Sequence, residues 1–306
     1  MRIFALGLIL AMLVFPTAVL ADPANDSQAK IKVGIYVLNI GKFDTSSGSY
    51  TVDFYLNLKC ADNSTECMSD FEFMNGRAIS KELTIDTPHE KVYRIQADLA
   101  DNVDLMDYPF DSHRLSINLE DTQRQTDELV YIADPGNSGI DPKVTLVGWE
   151  LEGGDSNISE HHYETFNETY SFYSYGINIK RISLASILKI FVPVFFIVFI
   201  ASLALLIKPE NINNRLGMST ASLISAVMFH LSATSSIPPV GYITFADKFM
   251  LGTYAILLAN LAWTVLLMRY TEKGQEKEAE KGYNAALITV PALTLLIYAL
   301  IFLRIV

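Results

Sequence analysis

The sequence predicts an antiparallel β-sandwich built outside the cell, followed by a bundle of four membrane-spanning helices. Three observations predict it. Charge is segregated along the 306 residues: positions 22–182 carry 28 acidic and 13 basic side chains, a balance of −15, whereas 183–306 carry 6 acidic and 9 basic, a balance of +3. The first half alternates apolar and polar residues over short segments divided by turn residues, the period of half-buried strands. The second half holds four apolar stretches of about 20 residues, each enough to cross roughly 30 Å of hydrocarbon as a helix. The mean hydropathy of +0.26 is the average of these two unlike halves.

Residues 1–21 read as a signal peptide: Arg2, an apolar run from Ile3 to Val14, then Val19-Leu20-Ala21 ahead of Asp22. An uncleaved first membrane helix is the other reading of this segment. Export suits the two cysteines, Cys60 and Cys67, which flank the turn-like ADNSTE. They can close a small disulfide in an oxidising compartment or remain two thiols. Neither lies in a C-x-x-C, so no zinc site, other metal site or cofactor is expected. The N-x-S/T sequons at Asn63, Asn157 and Asn167 read as chance in a surface rich in Asn and Ser.

Residues 22–182 form the sandwich. VGIYVLNI is followed by the polar turn KFDTSSGSY. TVDFYLNL then places Val52, Phe54, Leu56 and Leu58 on one face. ISKELTID and KVYRIQADL flank Thr87-Pro88-His89-Glu90, a hairpin connection; RLSINLE, LVYIAD, VTLVGWELE and YSFYSYGINIKR complete eight to ten strands. Residues 183–306 hold the spans, about 187–207, 216–236, 247–269 and 283–304. With the sandwich outside, Lys208 and Arg215, then Arg269, Lys273, Lys277 and Lys281, fall on the inner side, as the positive-inside rule requires. The protein is therefore expected in the plasma (inner) membrane, surrounded by lipid, with its N-terminal domain extracellular or periplasmic. An acidic domain repels nucleic acid, which excludes DNA and RNA as partners. No Ser-His-Asp elbow, metal triad or phosphate loop is present, so an enzyme is not expected.

The second span, NNRLGMSTASLISAVMFHLSATSS, carries many hydroxyls for a helix in lipid. On a helical wheel Gly217, Thr220, Ala221, Ile224, Met228, Leu231 and Ser235 share one face, with Asn213 at its inner end. Ser219, Ser222, Ser225 and Ser232 lie on others. Two readings fit: several copies line a passage, with the serines packed on neighbouring helices, or the helix is buried in a bundle without a pore.

This order of parts resembles the prokaryotic pentameric ligand-gated ion channels, relatives of the Cys-loop receptors. YPFDSHRL (108–115) is similar to the family's loop that rests on the membrane domain. VGWELE, with Trp149, looks like a late sandwich strand, and Asn178-Ile179-Lys180-Arg181 like the basic stretch before the first span. Pro193 sits where that span has its proline. NNRLGMSTASLISAVMFHL looks like the pore helix, and IPPVGYITFADKF like the loop into the third span.

The resemblance implies a homopentamer around a central pore. Its hydrophobic gate would be Ile224, Met228 and Leu231, opened by tilting of the second helix. It implies that Asp111 pairs with Arg181 at the domain junction, with Asp44 joining them, and that Pro109 and Phe110 press on Pro238, Pro239 and Tyr242. It places a small agonist, such as an amine held by cation–π attraction, beneath the hairpin between Gly153 and Tyr170. Tyr163, Phe166 and Tyr170 would form its cage, with Tyr131 from a facing strand. His161, His162, Glu160 and Glu164 are the alternative sensors of protons or a divalent cation, though they read first as solvated surface. Cation-conducting relatives carry a glutamate at the inner mouth where this chain has Asn214; the acidic outer domain still favours cations. The function implied is a ligand- or proton-gated ion channel, the alternative a non-conducting membrane-anchored sensor of the same fold.

Overall fold

The structure, a computed structural model, describes residues 28–61, 69–208, 211–235 and 237–304. The signal segment 1–21, Cys67 and the Asn63 sequon lie outside the described residues. Among the described residues, ten strands make two sheets. In the first, β4 (Gly76–Thr87), β5 (Glu90–Ala100), β2 (Ser49–Cys60), β1 (Ala29–Ile40) and β7 (Leu129–Ala133) lie side by side, with β8 (Gly139–Ile140) also paired to β1. The second runs β3 (Phe71–Phe73), β6 (Ser112–Asp121), β10 (Glu168–Arg181) and β9 (Trp149–Tyr163).

The alternation read from the sequence is what fills the space between the sheets. Val52, Phe54 and Leu56 of β2 are fully buried, as are Val33, Ile35 and Val37 of β1. They meet Leu115, Ile117 and Leu119 of β6 and Tyr173, Ile177 and Ile179 of β10. Each such side chain contributes about 1.5–3 kcal/mol by leaving water. Tyr50 adds a polar tie between the sheets: its hydroxyl lies 2.7 Å from Asp101 Oδ2 and 2.6 Å from the Ser116 carbonyl of β6. Burial, reinforced by Asp101, pushes that phenol far above its ordinary value, so it stays a donor.

Two details depart from the expected sandwich. β7 and β8 run parallel to β1; the chain crosses over from the opposite sheet after β6, and a crossover does not impose the antiparallel direction that a hairpin does. The first half of VTLVGWELE is also not a strand. It forms a turn closed by a Leu146–Trp149 bridge, and β9 begins at Trp149. β9 and β10 then make one long hairpin turning at residues 164–167. Gly153, at a backbone angle φ of 122° that side chains rarely adopt, lies beside the register shift at Asn178/Ile179. β4 is the outer edge of the first sheet, and every one of its residues is exposed.

Four helices follow: α1 (Ser183–Ala204), α2 (Ile212–Thr234), α3 (Phe245–Glu272) and α4 (Glu276–Phe302). All four are long and apolar enough to cross a membrane, so this is a multi-pass membrane protein with its sandwich on the outer side. Each begins several residues before the apolar run does, because polar first turns remain helical where they leave hydrocarbon. α3 starts with a capping box: Thr244 Oγ1 accepts from the Asp247 amide, and Asp247 accepts from the Thr244 amide. Val194, Val198, Ala226, Phe249, Met250 and Leu257 form the bundle core. Asn260 Nδ2, buried in α3, donates to the Ala201 carbonyl of α1 at 2.6 Å. Gly252 brings α3 close to α4; a Cβ there would lie 2.5 Å from Ile301 Cδ1 and 2.9 Å from Ile297 Cγ2.

Candidate ion pathway and domain junction

α2 has two faces of opposite exposure. Arg215, Ser219, Ser222 and Ala226, spaced by four, three and four, are buried against the other helices. On the opposite side Asn213, Gly217, Ala221 and Ser235 are exposed and Thr220 half-buried; Ile224, Met228 and Leu231 are 64%, 62% and 63% exposed. So the face assigned to a passage is the one this chain leaves uncovered. Ser219 and Ser222 are buried, whereas Ser225 and Ser232 are exposed within one chain. Arg215 turns inward. None of its guanidinium nitrogens has a hydrogen-bond partner among the described residues, and the Tyr283 ring lies 6.0 Å away.

At the junction the structure joins Asp111 and Arg181. Arg181 Nε donates to Asp111 Oδ1 at 2.6 Å and Nη2 to Oδ2 at 2.8 Å, and the Arg181 amide also donates to the Asp111 carbonyl. This two-pronged geometry is the strong form of a charge-assisted bond. The guanidinium lies 4.3 Å from the centre of the Trp149 ring and 5.1 Å from that of Tyr108. His113 Nε2 is 2.7 Å from Asp111 Oδ2, with its ring between Phe43 and Trp149. Burial pushes the Asp111 carboxyl upward, but the bonds from Arg181 and His113 outweigh it and hold the group at about 2.

Two expectations at the junction are corrected. Asp44 does not join the pair: its carboxylate accepts from the Ser46 amide and hydroxyl, closing its own turn. Phe110 does not rest on Pro238 or Pro239. Its ring stacks on Phe191 of α1 and meets Phe245 of α3 edge-on, because that is where the aromatic density of the membrane domain lies. Pro109 is buried behind it after a cis peptide bond from Tyr108. Tyr242 does reach the loop, through its hydroxyl, which accepts from the Leu105 amide at 2.8 Å. The loop also holds α3 by its backbone: the Phe245 amide donates to the Met106 carbonyl and the Ala246 amide to that of Tyr108.

Beneath the β9–β10 hairpin is a cavity of about 240 Å³ lined by Glu72, Glu120, Tyr163, Phe166, Glu168 and Tyr170. Tyr163 and Tyr170 stand edge to face at 5.8 Å, while Phe166 at the hairpin tip is 69% exposed. Glu120, 2% exposed, lies 2.5 Å from His161 Nδ1 and accepts from the Tyr163 hydroxyl at 3.0 Å. Desolvation and Glu120 push Tyr163 up to about 12, so it remains a donor at neutral pH. Tyr131 is not part of this cage. It is 2% exposed in the sandwich core, its hydroxyl 2.9 Å from that of Ser69, because it points inward with Leu129 on β7. His161 is likewise more than solvated surface, whereas His162 meets only Thr169 of the same hairpin. Cys60 is disulfide-bonded, and Cys67, its expected partner, lies outside the described residues. Among the described residues no cluster of three metal-ligating side chains occurs.

No family model matches the chain. A proton-gated ion channel of Gloeobacter violaceus is 22% identical over 298 residues, spanning 90% of this chain and 82% of that protein. The gamma-aminobutyric acid receptor subunit alpha-2 of Rattus norvegicus is 21% identical over 300 residues, 84% of this chain and 66% of the receptor subunit. The neuronal acetylcholine receptor subunit alpha-9-I of Oncorhynchus mykiss is 22% identical over 186 residues, 61% of this chain and 32% of the relative. The chain is thus similar, at 21–22% identity, to a proton-gated ion channel and to subunits of two neurotransmitter receptors.

Two residues of the sites escaped the sequence reading, His113 and Glu120. His113 was legible, because it lies on β6 only two residues after Asp111, within reach of that carboxylate. Glu120 was not, since Leu115, Ile117 and Leu119 face the core and the next residue should face water. It is covered instead by side chains of β9 reaching over β10.

Proposed function

We propose that five copies of this chain form a ligand- or proton-gated ion channel in which the α2 helices surround the ion pathway and Ile224, Met228 and Leu231 close it. The observation that carries the reading is the exposure pattern of α2. Three large apolar side chains more than 60% exposed, on the same face as the polar Asn213, Thr220 and Ser235, support a helix that stands around an axis with its copies. A ring of five such side chains excludes water at rest, and an ion cannot shed its hydration there without replacement ligands. Tilting the helices outward admits water.

The geometry supports a route for that movement. The hairpin strand β10 ends at Arg181; Arg181 grips Asp111; the loop from Leu105 to Phe110 bears on Tyr242, Phe191 and the start of α3. Hairpin motion is thereby passed to helices that pack against α2. The cavity beneath the hairpin has the makeup of a site for a small organic cation: two tyrosine faces, the exposed Phe166 and four carboxylates, those of Glu72, Glu120, Asp121 and Glu168. Permeant cations are favoured by the −15 balance of the outer domain and by the inward turn of Arg215, which keeps its charge off the pathway face.

The test is flux through purified protein in liposomes, across pH and a panel of small amines, with Ile224→Thr alongside. The variant is expected to leak or to open at roughly tenfold lower stimulus, the scale of a barrier change of about 1.4 kcal/mol. Assembled pentamers that pass no ion under any condition would refute conduction, and an Ile224→Thr protein identical to wild type would refute this gate.

A further inference from the structure

The contacts of the sandwich loop with the membrane domain end on α1, on Tyr242 and at the start of α3, one step short of the pore helix. His230 makes that step. It lies on α2 between Met228 and Leu231 of the constriction but on the side that faces α3. Both ring nitrogens are engaged: Nδ1 is 2.9 Å from Tyr254 Oη, and Nε2 is 3.1 Å from Asp247 Oδ1. The other oxygen of Asp247 accepts from the Thr244 amide at 3.0 Å and its hydroxyl at 2.8 Å, so the carboxylate is fixed by the capping box. The adjoining Phe245 and Ala246 amides hang on the sandwich loop through Met106 and Tyr108. A continuous line of hydrogen bonds therefore runs from that loop through Asp247 to the pore helix.

We propose that His230 is the positioning residue by which the start of α3 holds the outer end of α2, and that protonation of its ring alters that hold. The inference rests on the channel reading of α2.

With Asp247 ionised, Nε2 carries a hydrogen and Nδ1 accepts from the Tyr254 hydroxyl. A second proton, taken up at Nδ1, turns that nitrogen into a donor, so Tyr254 must reverse its role. It also turns the Asp247 contact, until then charged on the carboxylate side alone, into an ion pair charged on both sides. The hold of α3 on α2 thus tightens at one nitrogen and rearranges at the other. A cavity of about 360 Å³ bounded by His230, Asp247, Pro238, Pro239 and Tyr242 gives water and protons access.

The charges around the ring are few. α3 brings Asp247 and Lys248 near its start, together with Tyr254. The linker 235–244 adds only Tyr242 as a titratable group, and the adjoining sandwich loop carries Asp104 and Asp107. α1 carries only Lys189, and α2 has no other charge than Arg215 at its far end.

Two measurements on the full-length protein test the inference. The first is proteoliposome flux from pH 4 to 8 for wild type, His230→Gln, Asp247→Asn and the double variant. The second is a double-mutant cycle on the melting temperature of the same four proteins in detergent. The expected result is that each single variant displaces half-activation by about tenfold in stimulus concentration, the scale of a lost hydrogen bond to a charged group. The double variant should move it no further, with the same non-additivity in the melting temperatures. Tyr254→Phe, which leaves α2 itself untouched, should change the pH profile in the same direction and keeps the test open if His230→Gln does not fold. Conducting variants with wild-type pH profiles, or effects that simply add, overturn the role of His230 and leave the channel reading standing. A wild-type protein that never conducts overturns both.

Discussion

Replacing Asp111 by Asn keeps the shape of the junction and removes its negative charge. Two energies bound the effect. The Asp111 carboxyl is held at about 2 against an ordinary 3.8, a stabilisation of the ionised form by about 2–3 kcal/mol at 1.36 kcal/mol per unit. Taking one partner from a buried pair costs about 3–5 kcal/mol, and the lower figure is preferred here because Arg181 keeps 18% of its side chain in water and retains the Trp149 face. A loss of about 2–3 kcal/mol lowers the melting temperature of a domain this size by roughly 5–10 °C. If half of it is expressed in only one gating state, half-activation in liposome flux moves about tenfold.

The pH dependence has a definite sign. Because the folded value lies below the unfolded one, the contribution of Asp111 is complete above pH 4 and disappears as pH falls towards 2. The melting difference between wild type and Asp111→Asn should therefore be flat from pH 8 to about 5 and close only in stronger acid. A profile of that shape would mark the pair as a mechanical link and not as the proton sensor. Equal melting and activation for the two proteins, or additive effects in an Asp111→Asn/Arg181→Gln double variant, would show that the link carries no coupling energy.

Three further outcomes are expected. Glu120→Gln removes the anion that His161 and Tyr163 converge on and should weaken a cationic agonist by about 10–100-fold, the range of a hydrogen bond to a charged group; agonist titration by flux reads it, and an unchanged midpoint would place the agonist elsewhere. Tyr50→Phe should cost the sandwich about 1–2 kcal/mol, limited because the Ser116 carbonyl keeps Asn75 and Asp101 keeps the Ser116 amide, and chemical denaturation followed by tryptophan fluorescence measures it. Gly252→Val should separate α3 from α4 and lower detergent stability by about 1–3 kcal/mol, while Gly241→Ala, with no atom within 4 Å of its new Cβ, should not.

Where the sequence carried its own periodicity it located side chains well. Val52, Phe54, Leu56 and Leu58 alternate in TVDFYLNL and are at most 1% exposed, and the wheel of α2 separated the buried Ser219 and Ser222 from the exposed Ile224 and Met228. Tyr131 shows what happens when a likeness overrides that signal. The alternation of LVYIAD places it inward with Leu129, and there it is, although the family's cage suggested otherwise. Asp111 and Arg181 stand 70 residues apart, and no local pattern joins them; only the likeness of their motifs did. Asp44 was drawn to its neighbour Ser46 by short-range Asx chemistry that competes with any longer reach. The seat of Phe110 depended on rings from two helices that the loop sequence cannot specify.

The outer edge of the first sheet has a consequence for manufacture of the protein. β4 offers twelve residues with neither face covered, among them Ile79, Leu83 and Ile85 at 53%, 43% and 44% exposure. A newly exported subunit presents that border to any extended chain nearby, the usual starting point of strand-to-strand aggregation. The irregularities at Ala78/Ser80 and Leu83/Ile85 bend the border and spoil its register as a template. Recombinant yield should thus respond to charge or proline introduced along β4 more than to changes in the well-filled interior.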